Sequence, residues 1–260
     1  MKIISILVFT MVSSLSYAKM TANEIIKKAN LSSYYLGNDG RAKVSMLIKD
    51  DQGRKRKRSF VILRKNVGAA GGDQKFYVYF NRPSDVKGMA FLVFKKVNAS
   101  EDDRWLYLPA MDLVKRIAGS DKRTSFVGSS YFYEDVSGRN VNADTHKLVG
   151  EEPGQYIIES IPKNAGDVEF SKFKTWVDKK NFLPMKSEYF DKSGKVYRRH
   201  TIVKTEVVQG YSTATLSKME DLKTGSETLN KYGKIQFDAG ISEDIFSERY
   251  LRKPPEKYLK

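Results

Sequence analysis

Residues 88–109, GMAFLVFKKVNASEDDRWLYLP, hold two apolar runs separated by a polar turn. In an antiparallel sheet with one face in water, apolar and polar side chains alternate along each strand. The runs at 89–94 and 105–108 do not alternate, so both faces of these strands need to be shielded from water. Helices on one face and a ligand cavity on the other would shield them. A two-layer core would do the same and is the commoner arrangement.

The sequence on either side repeats the strand pattern. Period-two runs at 42–50 and 58–66 precede the quoted stretch, and another at 170–180 follows it, each bounded by Gly, Asn, Asp or Pro. No change of composition and no low-complexity linker divides the chain. We therefore predict a single, mainly β antiparallel domain over residues 19–260, with a short helical segment near 242–251.

A helix is predicted before the first strand. Thr21 and Glu24 have the spacing of a capping box, in which each side chain accepts a hydrogen bond from the other residue's backbone N–H. Ile25 and Ala29 recur at a helical interval until Gly37 ends the pattern. We expect an amphipathic helix of about three to four turns.

Residues 1–18, MKIISILVFTMVSSLSYA, combine one lysine, a short apolar run and small residues ending in Ala18. This order is typical of a cleavable secretory signal peptide, and the apolar run is too short for a permanent membrane helix. The chain has no cysteine, so we expect neither disulfides nor the acylated cysteine of a lipoprotein. These features predict a protein of the Gram-negative periplasm.

The formal net charge of +15 favours anionic partners. Export argues against nucleic acid and leaves anionic membrane surfaces and acidic proteins. In the run RKRKR at 54–58, alternation places Arg54, Arg56 and Arg58 on one face, where they could contact lipid headgroups or an acidic transporter. Alternatively, the run is a solvated hairpin tip that protects a sheet edge from aggregation, and the overall charge only maintains solubility.

Candidate catalytic groups are few. His146 and His200 are the two histidines, each isolated in a strand-like segment, so a zinc site is not predicted. Ser130 lies outside any G-x-S-x-G motif, and the adjacent Glu134 and Asp135 should point in different directions. We predict no catalysis, no metal site and no cofactor. A hydrolase of lipid or peptidoglycan that uses His146, His200 or Ser130 is the enzymatic alternative.

Several motifs in a fixed order resemble one family. They are WLYLP at 105–109, KRI at 115–117, SFVGSSYFYED at 125–135, FKTWVD at 173–178, YFDKSGK at 189–195, KMEDLKTGSETL at 218–229 and ISEDIFSERYL at 241–251. As an ordered set they resemble the outer membrane lipoprotein-sorting proteins, the larger relatives of the LolA/LolB lipoprotein carriers. The resemblance covers essentially the whole chain after residue 18. Ser130 and Tyr131 depart from it, because the family has Asp and Phe there.

The resemblance implies an open antiparallel half-barrel with short lid helices, whose concave face holds acyl chains. It implies lipid or acylated lipoprotein as cargo, and an RND-type (MMPL-like) inner-membrane transporter or an outer-membrane acceptor as partner. The protein would then be a periplasmic carrier that moves its cargo toward the outer membrane. A lipid-sensing accessory subunit of an envelope transporter, without bulk transfer, is the alternative.

Strand alternation gives the candidate lipid-binding residues: Met46, Ile48, Phe60, Ile62, Phe91, Val93, Trp105, Tyr107, Tyr131 and Phe132. Residues 128–135 are predicted to form part of the lid or mouth of the cavity. Lys115 and Arg116 flank them and extend the predicted anionic partner surface of Arg54, Arg56 and Arg58. In the alternative reading, Phe126 and Tyr133 only plug the end of a core.

Overall fold

A computed structural model describes residues 19–260, and the predicted signal peptide lies outside them. Its main feature is one antiparallel sheet of 13 strands in the order β6-β5-β4-β3-β2-β1-β13-β12-β11-β10-β9-β8-β7. The sheet is therefore two meanders, joined where the first strand pairs with the last. Its edge strands, β6 and β7, do not pair, so the sheet is an open half-barrel, which confirms the predicted fold class.

The elements have the following bounds. The strands are β1 Asp39–Lys49, β2 Lys55–Asn66, β3 Gln74–Arg82, β4 Ala90–Lys95, β5 Asp103–Leu108, β6 Leu113–Arg116, β7 Asp144–Glu152, β8 Gln155–Pro162, β9 Lys172–Asp178, β10 Pro184–Phe190, β11 Val196–Val208, β12 Tyr211–Asp221 and β13 Ser226–Phe237. The α-helices are α1 Ala22–Tyr34, α2 Tyr133–Ser137 and α3 Arg249–Arg252. No helix within residues 19–260 is long and apolar enough to cross a membrane.

Helix α1 begins as predicted, because Thr21 and Glu24 form both hydrogen bonds of the capping box. Its buried Ile25 and Ala29 pack against Ile158 of β8 and Val177 of β9. The helix ends at Tyr34, slightly before the predicted end. It thus covers the part of the sheet farthest from β6.

Strands β2 to β4 are buried on both faces, as the unbroken apolar run at 89–94 predicts for β4, whereas β5 is buried on one face and partly covered on the other. On one face, which we call the cavity face, a core forms around Met46, Phe60, Val78, Phe91 and Phe126. On the opposite outer face, a second core is covered by the C-terminal segment, which includes Ile241, Ile245, Phe246 and Leu251. The two-layer core and the ligand cavity are therefore both present, since a core lies on each face and a cavity adjoins one of the cores.

The connection between β6 and β7 joins the two edges of the open sheet. It holds most of residues 115–136, hereafter the 115–136 block, and helix α2. The block crosses the cavity face, because Phe126 packs against Phe60 of β2 and the hydroxyl of Tyr131 lies 2.8 Å from Oγ of Ser217 in β12. The block is thus positioned to form a wall of any cavity on this face.

Candidate functional site

A cavity of about 360 Å³ lies on the cavity face, between the sheet, the end of α1 and the 115–136 block. Its volume is within the range of about 300–1,000 Å³ that small-molecule sites occupy. Its apolar lining residues include Leu36, Ala42, Met46, Phe60, Ile62, Phe76, Val78, Phe126, Val136, Leu183, Ile202, Met219 and Phe237. Its polar lining residues include Ser187, Tyr189, His200, Thr213, Ser217, Asn230 and Tyr232. A ligand with an apolar chain fits this combination.

Four of the predicted lipid-binding residues line the cavity: Met46, Phe60, Ile62 and Tyr131. Ile48, Phe91 and Val93 share the cavity face, but they are completely enclosed in the core beside it. Phe132 instead packs on a guanidinium, with its ring centroid 4.0 Å from Cζ of Arg198.

Trp105 and Tyr107 differ from the prediction, because they lie on the outer face. Trp105 stands opposite Leu92 in the strand register and Tyr107 opposite Ala90, and these positions belong to the outer core. Leu106 takes the cavity-face position instead. The alternation of residues along β5 could not decide which of them face the cavity, since the residues on both faces are apolar and both faces are covered.

The 115–136 block is a cavity wall and a core plug at once. The ring of Phe126 lies 5.5 Å from that of Phe91 and 5.5 Å from that of Tyr133, centroid to centroid, and only 2% of Phe126 is exposed. Tyr131 and Phe126 also face the cavity. Val127 holds a left-handed backbone conformation, with φ at +52°, which a β-branched residue rarely adopts. The turn that aims these aromatic residues is therefore held by the packing around it.

Buried ion pairs fasten this block to the second half of the sheet. Asp135 pairs with Arg198 of β11, whose guanidinium also donates to the carbonyl of Ser130 at 3.1 Å. Glu134 accepts from Arg123 at 2.6 Å and lies 3.4 Å from Arg139. The two adjacent carboxylates point in different directions, as predicted, and each has its own arginine.

Arg123 extends the network by binding Glu169 through two hydrogen bonds of 2.6 and 2.7 Å. Burial acts to raise the pKa of Glu169, but the hydrogen bonds and charge of Arg123 outweigh it and lower that pKa to about 2. The hydroxyl of Tyr197 donates a further hydrogen bond to Glu169. The carboxylate therefore stays ionised and holds Arg123 in place.

The residues considered for catalysis are not assembled into a reactive group. Nδ1 of His146 lies 2.7 Å from Oγ of Ser160, and its Nε2 lies 2.9 Å from the carbonyl of Val141. His200 lines the cavity, where burial lowers its pKa to about 4. The hydroxyl of Ser130 contacts that of Thr228 at 3.3 Å, and the structure shows no hydrogen bond from it to either histidine among the described residues. Within residues 19–260, no group of three potential ligands is arranged around a metal position.

The five predicted basic residues do not form one continuous surface. Arg56 stands opposite Ile48 and Arg58 opposite Met46, so both lie on the cavity face, beside the block at Gly128. Lys115, opposite Leu106, shares that face and is exposed. Arg54 pairs with Asp50 at the hairpin tip, and Arg116 pairs with Asp103 on the outer face. The sequence does not predict that Gly128 of the block lies beside Arg56 and Arg58, because these residues are far apart along the chain.

Comparisons with known proteins agree with this architecture. A DUF1329 family protein from Desulfovibrio piger matches with a TM-score of 0.81 and 29% identity, over 88% of this chain and 97% of its own. A protein from Vibrio parahaemolyticus, described as an outer membrane lipoprotein-sorting protein domain, matches with a TM-score of 0.79 and 28% identity, over 89% and 98%. A LolA superfamily protein from Nitrosomonas europaea shares the fold, with a TM-score of 0.69 and 20% identity over 89% and 100%.

The chain thus shares its open sheet with these proteins, and the resemblance to outer membrane lipoprotein-sorting proteins is confirmed. The matching family model carries the description "Uncharacterized protein" and covers residues 72–253. Because this is more than half of the chain, the chain belongs to that family. A comparison with curated proteins gave no match.

Proposed function

We propose that the protein is a carrier that binds the acyl chains of lipids or lipoproteins in the cavity and moves them toward the outer membrane. The observation that carries this proposal is the 360 Å³ cavity, whose apolar wall lies on an open sheet of the lipoprotein-sorting type. Residues 1–18 would act as the signal peptide that brings residues 19–260, one LolA-like domain, to the periplasm.

A carrier of this kind needs no chemistry. Burying an acyl chain contributes about 0.8 kcal/mol per methylene, so about a dozen methylenes would contribute about 10 kcal/mol before ordering costs. Release then requires that the cavity change shape or that an acceptor compete for the chain. The 115–136 block is the part of the wall that joins the two free edges, so its movement would open the cavity without breaking the sheet.

The cationic side chains at the end of the cavity face give the carrier a docking surface. Arg56 and Arg58 lie beside Gly128 on that face, and Lys115 lies on the same face at the edge strand β6. They would orient the protein toward an anionic membrane surface or an acidic face of an RND-type transporter, because such charges add about 1 kcal/mol each near an anionic bilayer. An outer-membrane acceptor would then receive the cargo.

The ion pairs of the block favour a second candidate, a lipid-sensing accessory subunit. Arg198 and Arg123 are almost completely buried where they hold Asp135 and Glu134. A wall fastened by buried charges opens slowly, because each opened charge loses its partner. Slow exchange suits a sensor of bound lipid better than a carrier with rapid turnover.

A vesicle transfer assay separates the two. Donor vesicles contain a self-quenched fluorescent phospholipid, and acceptor vesicles contain none. A carrier raises the rate of fluorescence recovery in proportion to its concentration and over many turnovers. Binding of the lipid with a single stoichiometric burst favours the sensor, and recovery at the protein-free rate with no bound lipid contradicts both.

A further inference from the structure

The cavity has a mostly apolar side, which we call the apolar side, and a side with many more polar groups, which we call the polar side. The apolar side is formed by Met46, Phe60, Ile62, Phe76 and Val78 of β1 to β3. The polar side is formed by Ser187, His200, Ser217, Asn230 and Tyr232 of β10 to β13. Ile202, Met219 and Phe237 of the same strands offer an alkyl chain apolar contacts. The chain gains nothing from the hydroxyl and amide groups, which lose hydrogen bonds with water when hydrocarbon covers them.

Strand register groups these polar side chains. Ser217 stands directly opposite Asn230, and Ser187 directly opposite His200. The hydroxyl of Tyr131 lies 2.8 Å from Oγ of Ser217, which in turn lies 3.5 Å from the hydroxyl of Tyr232. The 115–136 block therefore contributes to the polar side as well as to the apolar core.

Asn230 supplies the observation that points to a ligand. Only 5% of this residue is exposed, and its Oδ1 has no hydrogen-bond partner among the described residues. Buried polar side chains are nearly always paired, because an unpaired one keeps the full cost of losing water. An amide presents both a donor and an acceptor, so this side chain can bind a hydroxyl, an ester or an amide of a ligand.

The ionisable groups on the polar side itself are neutral or paired. Burial lowers the pKa of His200 to about 4, so its imidazole is neutral at neutral pH. Asp135, which also lines the cavity, is paired with Arg198. Arg41 and Arg64 also line the cavity, but Arg41 stands opposite Gln236, six residues along β13 from Asn230. The groups beside Asn230 on the polar side are uncharged hydrogen-bonding partners.

We propose that Asn230, Tyr232 and Ser217 form a subsite for the uncharged hydrogen-bonding group next to an acyl chain, such as the ester and hydroxyls of an acylglycerol. The subsite selects acylated compounds over plain hydrocarbon. This inference rests on the proposed function, because it assumes that the cavity binds an acyl chain.

Two fluorescence measurements on the full chain after residue 18 test it. Uptake of diphenylhexatriene, a hydrocarbon, reports the apolar side, and its displacement by a monoacylglycerol reports the subsite. The variants are Asn230→Leu, which keeps the side-chain size, and Tyr232→Phe, which removes one hydroxyl. Gln236→Leu, at an exposed position of the same strand, is the matched control.

We expect both subsite variants to weaken monoacylglycerol displacement about five- to tenfold, the effect of one lost hydrogen bond, and diphenylhexatriene uptake to change less than about twofold. Unchanged displacement in Tyr232→Phe and Asn230→Leu would overturn the subsite, and so would equal weakening of both probes. If the wild-type chain takes up neither probe, the proposed function fails, and the subsite fails with it. Circular dichroism shows whether each variant folds like the wild type. Tyr232→Phe is the milder change, so it keeps the test valid if Asn230→Leu does not fold.

Discussion

Asp135 and Arg198 form an ion pair that joins helix α2 to strand β11 across the cavity face, with 14% and 2% of their side chains exposed. The pair connects the movable wall of the cavity to the rigid sheet. Because Arg198 also packs on Phe132 and binds the carbonyl of Ser130, one arginine holds three points of the 115–136 block. This buried guanidinium is therefore, with Arg123, one of the two main polar attachments of the wall.

Replacing Asp135 by asparagine should destabilise the protein strongly. Asp135→Asn leaves the buried charge of Arg198 without its carboxylate, and breaking such a pair typically costs about 3–5 kcal/mol. Urea denaturation would measure the free energy of unfolding. Asp51→Asn, at an exposed position, is the control and should change it by less than about 0.5 kcal/mol. A loss below 1 kcal/mol in Asp135→Asn would show that the pair does not hold the block.

Filling the cavity should weaken lipid binding at little cost in stability. Ala42 lies on the cavity face and lines the cavity, so the ring in Ala42→Phe would occupy space that we assign to the ligand. We expect lipid binding to weaken by about tenfold or more, since several methylenes lose their contacts. Ala99→Phe, in an exposed turn, should bind like the wild type. Equal lipid binding by both variants would place the ligand elsewhere.

The stability of the protein in acid should depend on Glu169. Its folded pKa of about 2 lies below the unfolded value of about 4.3, so its contribution is complete above pH 5 and is lost as the pH falls toward 2. Because Glu169 is partly exposed, we expect about 1 kcal/mol at most. Unfolding curves at several pH values should show Glu169→Gln approaching the wild type in acid.

The control for this titration is Glu248→Gln at an exposed position. If the free energies of unfolding of Glu169→Gln and the wild type differ by the same amount from pH 6 to pH 2, Arg123 does not lower the pKa of Glu169.

Binding to anionic membranes should depend on which face carries the charge. In the double variant Arg56→Gln/Arg58→Gln, we expect affinity for phosphatidylglycerol vesicles to fall about tenfold or more, and salt to weaken the wild-type binding. The double variant Lys55→Gln/Lys57→Gln removes the same charge from the outer face. If both variants lose the same affinity, only the overall charge matters and the predicted docking surface is wrong.

The sequence predicts the fold well, because the features that define it are local. The capping box of α1 and the period-two runs depend on neighbouring residues, and the structure has both. The resemblance of ordered motifs supplied the open half-barrel, which strand patterns alone only permit. Which residues of β5 lie on the cavity face is harder to predict, since Trp105 and Leu106 are both apolar. Only the segments that cover each face distinguish the two positions.

The side of the cavity formed by β10 to β13 could not be predicted from hydrophobicity, because many of its inward-facing residues are polar. In β12 the buried residues are Thr213, Thr215, Ser217 and Met219, whereas hydrophobicity would turn Leu216 inward. The ion pairs were hidden for another reason. Asp135 and Arg198 are 63 residues apart, so they meet only once the block has crossed the sheet.

Native mass spectrometry of the protein purified from its own cells, with extraction of any bound lipid, shows directly whether the cavity holds an acyl chain. A carrier should have a mass that exceeds that of the polypeptide by the mass of a phospholipid or an acylated peptide. We expect Ala42→Phe to lose this added mass and Ala99→Phe to keep it. A bare polypeptide mass, with no uptake when lipid is added, would rule out the proposed function and leave no acyl-chain ligand for the cavity.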